Sequence, residues 1–352
     1  HFLLRRQRQM CIRDSNQVMH KPSEFTPITS ELLKEICDSA FDETEFATFL
    51  GGPDIGAAFT QLKFDHLLFT GSGNIGKHVM RAASENLVPI TLELGGKSPV
   101  IVSDSSNIDI TARRVMFNKT LNAGQICLAP DYVYVHETEK DNFVEACKIQ
   151  VNEFYSDLKY NPDYTSVINQ KHYDRLNGLL SDAKDHGAEL VEINPANEDF
   201  SQQESHKIPP TLVLNPTDEM QIMKEEIFGP LLPIKTFKEI NEPINYINKN
   251  DKPLGLYYFG NNKNEEAKVV NSTSSGGVTV NDIMGHIQQN ELGFGGVGPS
   301  GMGKYDGFDG FMNFSNNKPI YKQIGFGLDK LLDAIRPPYK GNIEDVLKKL
   351  LK

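Results

Sequence analysis

The sequence predicts an α/β fold, and three observations support this prediction. Strand-like apolar runs alternate with helix-like segments from Asn16 onward, as in proteins that layer helices on a mostly parallel sheet. A G-x-G-x-x-G motif lies between a predicted strand and a predicted helix, at 71–76. The chain of 352 residues is 39% hydrophobic and 24% charged, a globular composition long enough for two or three domains.

Composition also excludes several classes of function. A net charge of −11 argues against broad binding of nucleic acid or anionic membranes. No apolar run reaches the roughly 18 residues of a membrane span. The four cysteines are too few and too scattered for a disulfide framework or a zinc site, so we expect no metal and a cytoplasmic location.

Residues 1–15 differ from the rest of the chain. They begin with His and carry four of the nine arginines, whereas the remainder is rich in lysine. We expect a non-native leader here, the alternative being an Arg-rich transit peptide, and we expect the natural start of the protein to be missing.

The first predicted elements run from 16 to 94. A short strand ends at Val18-Met19, and Thr26-Pro27 read as the N-cap and first residue of a helix over 28–39. A buried strand over 65–69 leads through the glycine motif into a helix over 74–86, and another strand follows at 89–94. Glycines at Gly71 and Gly76 with Ser72 between them can bring backbone amides to a phosphate, or can simply serve a tight strand-to-helix turn.

The alternation continues beyond residue 95. Strands are predicted at 100–102, 132–135, 188–193, 211–214 and 231–236, and helices at 108–121, 138–156, 169–186, 262–272 and 342–352. Segment 293–303 holds six glycines and predicts a loop that passes close to other backbone.

Several motifs are distributed along the chain. Two of them are the segment Glu93-Leu-Gly-Gly-Lys97 and a Gly-Gln-Ile-Cys loop, in which Cys127 lies 34 residues after Glu93. The others are Lys21-Pro-Ser-Glu24, Phe69-Thr-Gly-Ser72, Glu225-Glu-Ile-Phe-Gly-Pro230, and the segments 253–257, 274–282 and 294–303. Together they resemble the NAD(P)-dependent aldehyde dehydrogenase superfamily, over essentially all of 16–352. Within the superfamily the chain is most similar to the class 3 branch and its bacterial coniferyl aldehyde dehydrogenases.

The resemblance implies a fold and a division into domains. It implies an aldehyde dehydrogenase-like fold with a partial dinucleotide-binding domain over 16–94, a catalytic domain over 95–285, and a C-terminal return and oligomerisation segment over 286–352. The full-length protein would be a homodimer.

The same resemblance assigns roles to two residues. Cys127 would attack the aldehyde, because hydride transfer from a bare carbonyl requires a tetrahedral adduct, and a thiol is a good nucleophile even when only partly ionised. Glu93 would act as the general base that activates water for hydrolysis of the thioester. From its position 17 residues after Gly76 alone, Glu93 could instead be the acid that binds a cofactor ribose.

The remaining implied residues concern the cofactor, NAD or NADP. Glu226 would bind the nicotinamide ribose and Phe228 would pack beside the nicotinamide. Glu24 would bind the adenosine ribose, while Lys21 could also favour a 2′-phosphate, so the choice of cofactor stays open. His286 is either a packing residue or part of the substrate funnel, and Tyr305-Asp-Gly307 replaces the Tyr-His-Gly that class 3 members often carry.

The chain has no Trp, so the family's Pro-Trp-Asn segment, which supplies an oxyanion hydrogen bond, is absent. Losing such a donor typically costs ~10²–10³ in rate, so we expect this chain to be a poor enzyme. The expected substrate is an aromatic, coniferyl-type aldehyde or a medium-chain aliphatic one. Two alternatives remain open: a cofactor-independent thiol esterase, and an inactive fragment.

Overall fold

A computed structural model describes residues 16–322, 337 and 343–351. The leader expected at residues 1–15 lies outside this range. The chain divides into two compact units, 1–315 and 316–352. In the second unit the described residues form one helix, Ile343–Leu350, within the range predicted for the C-terminal amphipathic helix.

The first part of unit one contains a small parallel sheet. Strand β1 (Val18–His20) pairs with β2 (Phe46–Thr48), so that Val18 lies opposite Phe46. Helix α1 (Pro27–Ala40) connects them, and α2 (Pro53–Phe59) follows. Pro27 occupies the first turn of α1, as predicted, because a proline there loses no helical hydrogen bond. Thr26 precedes α1 at the N-cap position, although its side chain makes no capping hydrogen bond.

A second sheet has three strands. Strand β3 (Leu67–Thr70) runs parallel to β4 (Ile90–Glu93), and helix α3 (Gly73–Ser84) links them. On its other edge β4 pairs antiparallel with β12 (Gly301–Met302), so that Gly301 lies opposite Glu93. The pairing delivers the glycine-rich loop, residues 293–303, to the carboxyl end of β4.

The largest sheet has seven strands. They are β5 (Pro99–Val102), β6 (Tyr132–His136), β7 (Glu189–Glu192), β8 (Thr211–Leu214), β9 (Leu231–Phe237), β10 (Gly255–Phe259) and β11 (Gly277–Val280). Their order in the sheet is β11-β10-β5-β6-β9-β8-β7. Neighbouring strands are parallel except for the edge pair β7–β8, which is antiparallel.

Helices connect these strands and cover both faces of the sheet. They are α4 (Ile108–Thr120), α5 (Lys140–Phe154), α6 (Gln170–Asp185), α7 (Gln221–Lys224), α8 (Asn241–Lys249), α9 (Lys263–Ser272) and, near the end of the unit, α10 (Gly307–Asn313). Short 3-10 helices lie at Leu121–Gly124, Glu137–Glu139 and Gly285–Gln288.

Two hydrophobic cores lie on opposite faces of this sheet. Val100 and Val102 belong to one core and Ile101 to the other, because successive side chains of a strand point to opposite faces. A strand buried on both faces is typical of a parallel sheet. The predicted α/β fold is therefore confirmed. In the described part of the chain, the helices are all too short or too polar to cross a lipid bilayer.

Candidate active site

Cys127 lies in the loop between α4 and β6, partly buried beside the first core. This loop begins with a tight 3-10 turn in which Asn122 and Ala123 both adopt the left-handed conformation, at φ 52°. Gly124 follows at φ +72°, and a Cβ atom there would stand 2.4 Å from the carbonyl oxygen of Gly229. Only glycine fits this position, so the Cys127 loop is held against the Glu-Glu-Ile-Phe-Gly-Pro segment.

Two buried side chains fix the rest of the Cys127 loop. The amide group of Gln125 donates to the carbonyl oxygens of Asn122 and Ser166, both at 3.0 Å, and its oxygen accepts from the backbone N–H of Ile168 at 2.9 Å. The hydroxyl of Tyr257 on β10 donates to the carbonyl oxygen of Leu128 at 2.7 Å. Cys127 is thus held between two anchored neighbours.

Glu93 ends β4 and is only 4% exposed. Its backbone carbonyl accepts a hydrogen bond from the N–H of Gly71 at 3.1 Å, which ties the glycine motif to this strand. Its carboxyl group lies beside the glycine-rich loop, where a Cβ atom on Gly295 would stand 3.2 Å from Oε1. The glycines of this loop approach other backbone closely, as predicted.

The segment that carries Glu226 is bound to the Glu-Leu-Gly-Gly-Lys turn by a buried ion pair. Lys97 Nζ donates to the carboxylate of Asp131 and to the carbonyl oxygens of Ile222 and Glu225, at 2.8 and 2.9 Å. The other oxygen of Asp131 accepts from the backbone N–H of Ile227 at 2.9 Å. Glu226, between these anchors, lies against Gly95 and Gly96.

The carboxyl groups of Glu226 and Glu93 act on the thiol of Cys127. Burial is the largest cause, and the negative charges of Glu226 and Glu93 the next, of a Cys127 pKa raised to about 11. Burial, with Asp131 as a second cause, raises the pKa of Glu226 to about 7. Both carboxylates therefore lie within electrostatic range of the thiol. At neutral pH the Cys127 thiol is therefore protonated, and it needs a base to become a nucleophile. The sequence alone led us to expect a partly ionised thiol.

Gly71, Ser72 and Gly76 form the turn from β3 into α3. The Ser72 hydroxyl accepts from the N–H of Ile75 at 3.4 Å and so caps the helix. A Cβ atom on Gly76 would stand 2.8 Å from Cδ2 of Leu94, so this glycine lets α3 pack closely on the sheet. The turn thus has a structural role, and it also leaves the amino end of α3 at the carboxyl edge of β3, where helix amides favour anions.

Lys21 and Glu24 follow β1 and pair with each other. Lys21 Nζ lies 2.9 Å from Glu24 Oε2, and this hydrogen bond is the largest cause of the lowered pKa of Glu24. Phe228 is partly buried and adopts a positive φ of 47°, directly after the Glu226 segment. Unlike Glu93, Cys127 and Glu226, the Lys21–Glu24 pair belongs to the β1–β2 part of the chain.

His286 lies in an aromatic cluster. Its Nδ1 is 2.8 Å from the Thr279 hydroxyl, and its ring stacks on Phe294 with centroids 5.9 Å apart. Tyr305 meets Phe294 edge-on at 5.2 Å, and Tyr257 lies 6.4 Å from the His286 ring. Phe294 and Tyr257 belong to the core against which Cys127 also packs, so His286 packs on rings of that core.

Reasoning from sequence did not single out three residues that build this site. Asp131 and Gln125 hold the two motif segments in place, and Arg175 on α6 donates to the carbonyl oxygen of Glu226 at 3.2 Å. A buried polar residue inside an otherwise apolar run, such as Asp131 before β6, is the signal that could have identified the first. No group of three His, Cys, Asp or Glu side chains suited to a metal ion occurs within the described ranges.

Comparison with known proteins decides the family. The model of the aldehyde dehydrogenase family matches residues 3–320. The chain belongs to the aldehyde dehydrogenase family. The resemblance inferred from the motifs is therefore confirmed, and the chain is an oxidoreductase of the aldehyde dehydrogenase type.

The curated relatives of this aldehyde dehydrogenase include two bacterial proteins. It is 54% identical over 332 residues to the probable coniferyl aldehyde dehydrogenase of Caulobacter vibrioides, covering 94% of this chain and 68% of the relative. It is 50% identical over 336 residues to the coniferyl aldehyde dehydrogenase of Pseudomonas sp. strain HR199, covering 96% and 69%. The chain thus spans about two thirds of the length of these relatives.

Solved structures agree with this assignment. The substrate-bound state of Staphylococcus aureus AldH superposes with a TM-score of 0.84 at 40% identity, covering 96% of this chain and 71% of that one. Betaine aldehyde dehydrogenase from Staphylococcus aureus, solved in complex with NAD+, superposes with a TM-score of 0.76 at 27% identity, covering 85% and 60%.

Proposed function

We propose that this aldehyde dehydrogenase oxidises its substrate through a covalent adduct on Cys127, with Glu93 as the general base. The observation that carries the proposal is the packing of three motifs on one another: the Glu226 carboxyl group lies against Gly95, two residues after Glu93, and Gly124 of the Cys127 loop lies against Gly229 of the Glu226 segment. The charges of both carboxylates accordingly raise the pKa of the Cys127 thiol. Cys127 is also the most accessible of the three cysteines in the described chain, because Cys37 and Cys147 are buried.

The proposed reaction proceeds in two stages on Cys127. The thiol gives its proton to the Glu226 carboxylate as the sulfur attacks the carbonyl carbon, which forms a thiohemiacetal without the help of Glu93. Loss of hydride from that carbon leaves a thioester on Cys127. Glu93 then takes a proton from water, the hydroxide attacks the thioester, and the carboxylic acid leaves as Cys127 is restored. The N–H of Cys127 stabilises the oxyanion of each tetrahedral adduct.

The residues present fit a nicotinamide dinucleotide, NAD or NADP. Glu226 would hold the nicotinamide ribose, beside Phe228, and its position is fixed by the Lys97–Asp131 pair. Ser72 and the amino end of α3 would hold the pyrophosphate, and Lys21 and Glu24 the adenosine ribose. When bound, the cofactor accepts the hydride. The relative solved with NAD+ supports this proposal.

The aromatic cluster favours an aromatic aldehyde as the substrate. Tyr257 and Phe294 are buried in the core on which Cys127 packs, whereas His286 and Tyr305 at the edge of the cluster are partly exposed and can stack with a flat ring. The names of the relatives, coniferyl aldehyde dehydrogenases, point the same way. A medium-chain aliphatic aldehyde is the competing substrate. We further propose the three-part domain division given above and a homodimer.

A substrate panel tests this function. Coniferyl aldehyde, benzaldehyde, hexanal and octanal are each supplied with NAD and with NADP, and reduced cofactor is followed at 340 nm. We expect reduction of the cofactor when coniferyl aldehyde is supplied, and a higher kcat/KM for coniferyl aldehyde than for octanal. A further arm supplies an activated ester, p-nitrophenyl acetate, with and without cofactor. Hydrolysis of this ester at equal rates in both cases, combined with no cofactor reduction by any aldehyde, would contradict the proposal and favour the thiol esterase.

A further inference from the structure

A hydrogen-bonded chain joins three distant segments behind Glu93. The Thr91 hydroxyl is fully buried and lies two residues before Glu93 on β4, so both side chains point to the same face of the strand. His66 Nε2 lies 2.8 Å from Thr91 Oγ1, and Asn313 Nδ2 donates to the same oxygen at 2.7 Å. His66 precedes β3 and Asn313 ends α10, so the hydrogen bonds join β4 to a segment before β3 and to a helix far along the chain.

Asn313 also holds the end of the glycine-rich loop. Its second N–H donates to the carbonyl oxygen of Lys304 at 2.9 Å, directly after Gly303. Gly303 adopts φ +77°, and a Cβ atom there would stand 2.8 Å from Thr91 Oγ1. The loop therefore passes over the Thr91 hydroxyl at a distance that excludes any side chain, and Asn313 fastens it there with both of its amide hydrogens.

The fastened loop in turn confines the Glu93 carboxyl group. A Cβ atom on Gly295 would stand 2.2 Å from the carbonyl oxygen of Gly303 and 3.2 Å from Oε1 of Glu93. The Gly303 carbonyl oxygen and the Glu93 carboxyl group therefore lie on the same side of Gly295, where the missing side chain leaves room for both. A shift of the Gly303 peptide would be transmitted to the space in which that carboxyl group moves.

We propose that His66, Thr91 and Asn313 are positioning residues for Glu93, acting through the glycine-rich loop. This inference rests on the proposed function of Glu93 as the base for thioester hydrolysis. His66 further restrains the chain because its ring packs on Phe314, the residue after Asn313, with centroids 4.5 Å apart. His66 and Asn313 are therefore linked to each other through Phe314, in addition to their hydrogen bonds with Thr91.

The step affected is hydrolysis of the thioester. The hydrogen bonds that position the Cys127 loop come from Gln125 and Tyr257 and not from the segment that Asn313 fastens, so the attack of Cys127 does not depend on that fastening. Misplacement of a reacting group by about 1 Å can lower a rate roughly a hundredfold. Loosening the loop should therefore slow the stage after hydride transfer and leave the first stage unchanged.

The test is a stopped-flow comparison of Thr91→Val with Thr91→Ser, using coniferyl aldehyde and saturating NAD. Valine preserves the shape of the side chain but removes the hydroxyl, whereas serine keeps it. We expect Thr91→Val to give a burst of reduced cofactor with unchanged rate and amplitude, then steady turnover at least about tenfold slower than normal. Thr91→Ser should turn over within about twofold of the unsubstituted enzyme.

Thr111→Val is the matched control. Thr111 is also buried, and its hydroxyl donates to the carbonyl oxygen of Asn107 at 2.7 Å, in the first turn of α4. The substitution Thr111→Val should leave both the burst of reduced cofactor and the steady turnover unchanged. If Thr91→Val fails to fold, Asn313→Leu replaces it, since Asn313 is only partly buried and its loss cuts the same chain.

Two results would overturn the proposal. One is a steady rate of Thr91→Val or Asn313→Leu that equals that of Thr111→Val. The other is a burst amplitude that falls together with the folded fraction while turnover per burst equivalent stays normal, which would make the chain purely structural. Absence of cofactor reduction in the unsubstituted enzyme would instead contradict the proposed function, so the two failures are distinguishable.

Discussion

The carboxyl group of Glu226 lies directly against the backbone of Gly95, where a Cβ atom would stand 2.0 Å from Oε2. No side chain other than glycine's hydrogen leaves room for that carboxyl group. Since Gly95 follows two residues after Glu93, the contact brings the two acidic motifs to one place. The charge that Glu226 places there governs the first prediction.

Replacing Glu226 should make Cys127 more reactive as a thiol. Its negative charge raises the pKa of the Cys127 thiol, so Glu226→Gln should lower that pKa and increase the thiolate fraction at pH 8.5. At a pKa of about 11 the thiolate fraction at pH 8.5 is roughly one part in three hundred, which leaves ample room for an increase. The measurement is the rate of iodoacetamide labelling of the Cys127 peptide by mass spectrometry.

The sign of the pH dependence follows from the pKa of Glu226 itself. Because that pKa is raised to about 7, Glu226 is mostly ionised at pH 8.5 and mostly protonated at pH 6. The acceleration by Glu226→Gln should therefore be larger at pH 8.5 than at pH 6. The buried Cys147 peptide serves as the internal control and should remain unlabelled. If Glu226→Gln left the labelling rate of Cys127 unchanged at both pH values, the charge of Glu226 would not act on the thiol.

Lys21→Ala should weaken NADP more than NAD. The proposed adenosine site offers Lys21 as its cation, and only NADP presents a 2′-phosphate to it. Lys21 pairs with Glu24 at 2.9 Å, so the substitution also frees the Glu24 carboxylate, which would repel that phosphate. Dissociation constants from fluorescence titration with each cofactor measure the effect. Equal losses for both would show that Lys21 does not sense the phosphate.

Gly124→Ala should disrupt the Cys127 loop, because its φ of +72° and the Gly229 oxygen at 2.4 Å leave no room for a methyl group. We expect a loss of stability of about 2 kcal/mol or more, measured by urea unfolding, together with loss of activity. Gly178→Ala is the matched control. It lies in the exposed middle of α6 with nothing within 4 Å, so alanine should stabilise the protein by up to about 1 kcal/mol. Equal effects of the two substitutions would contradict the close packing of the loop.

Much of the α/β alternation was predictable, because periodicity and end signals were strong. The helix over 169–186 and the strand over 211–214, for example, match Gln170–Asp185 and Thr211–Leu214 closely. Helix Asn241–Lys249 was missed, since Pro243 in its first turn reads as a breaker but is tolerated there. Strands Gly255–Phe259 and Gly277–Val280 were also missed as strands, because both are short, and the first is an apolar run buried on both faces that shows no alternation.

The candidate site was predictable only as far as local motifs extend. Glu93, Cys127 and Glu226 each lie in a motif that can be recognised in the amino-acid sequence alone. The residues that hold the motifs together could not be found in this way. Thr91, His66 and Asn313 come from three segments, and their hydrogen bonds depend on strand register that the sequence does not specify.

The most direct test of the central claim separates the two stages of the reaction with Glu93→Gln. The oxidation stage should survive, giving one equivalent of reduced cofactor per active site in a stopped-flow burst, while hydrolysis of the Cys127 thioester should slow by roughly a hundredfold or more. Cys127→Ala should give neither phase. If Glu93→Gln instead weakened NAD binding while hydrolysis ran at its normal rate, Glu93 would be the ribose ligand and the proposed mechanism would be wrong.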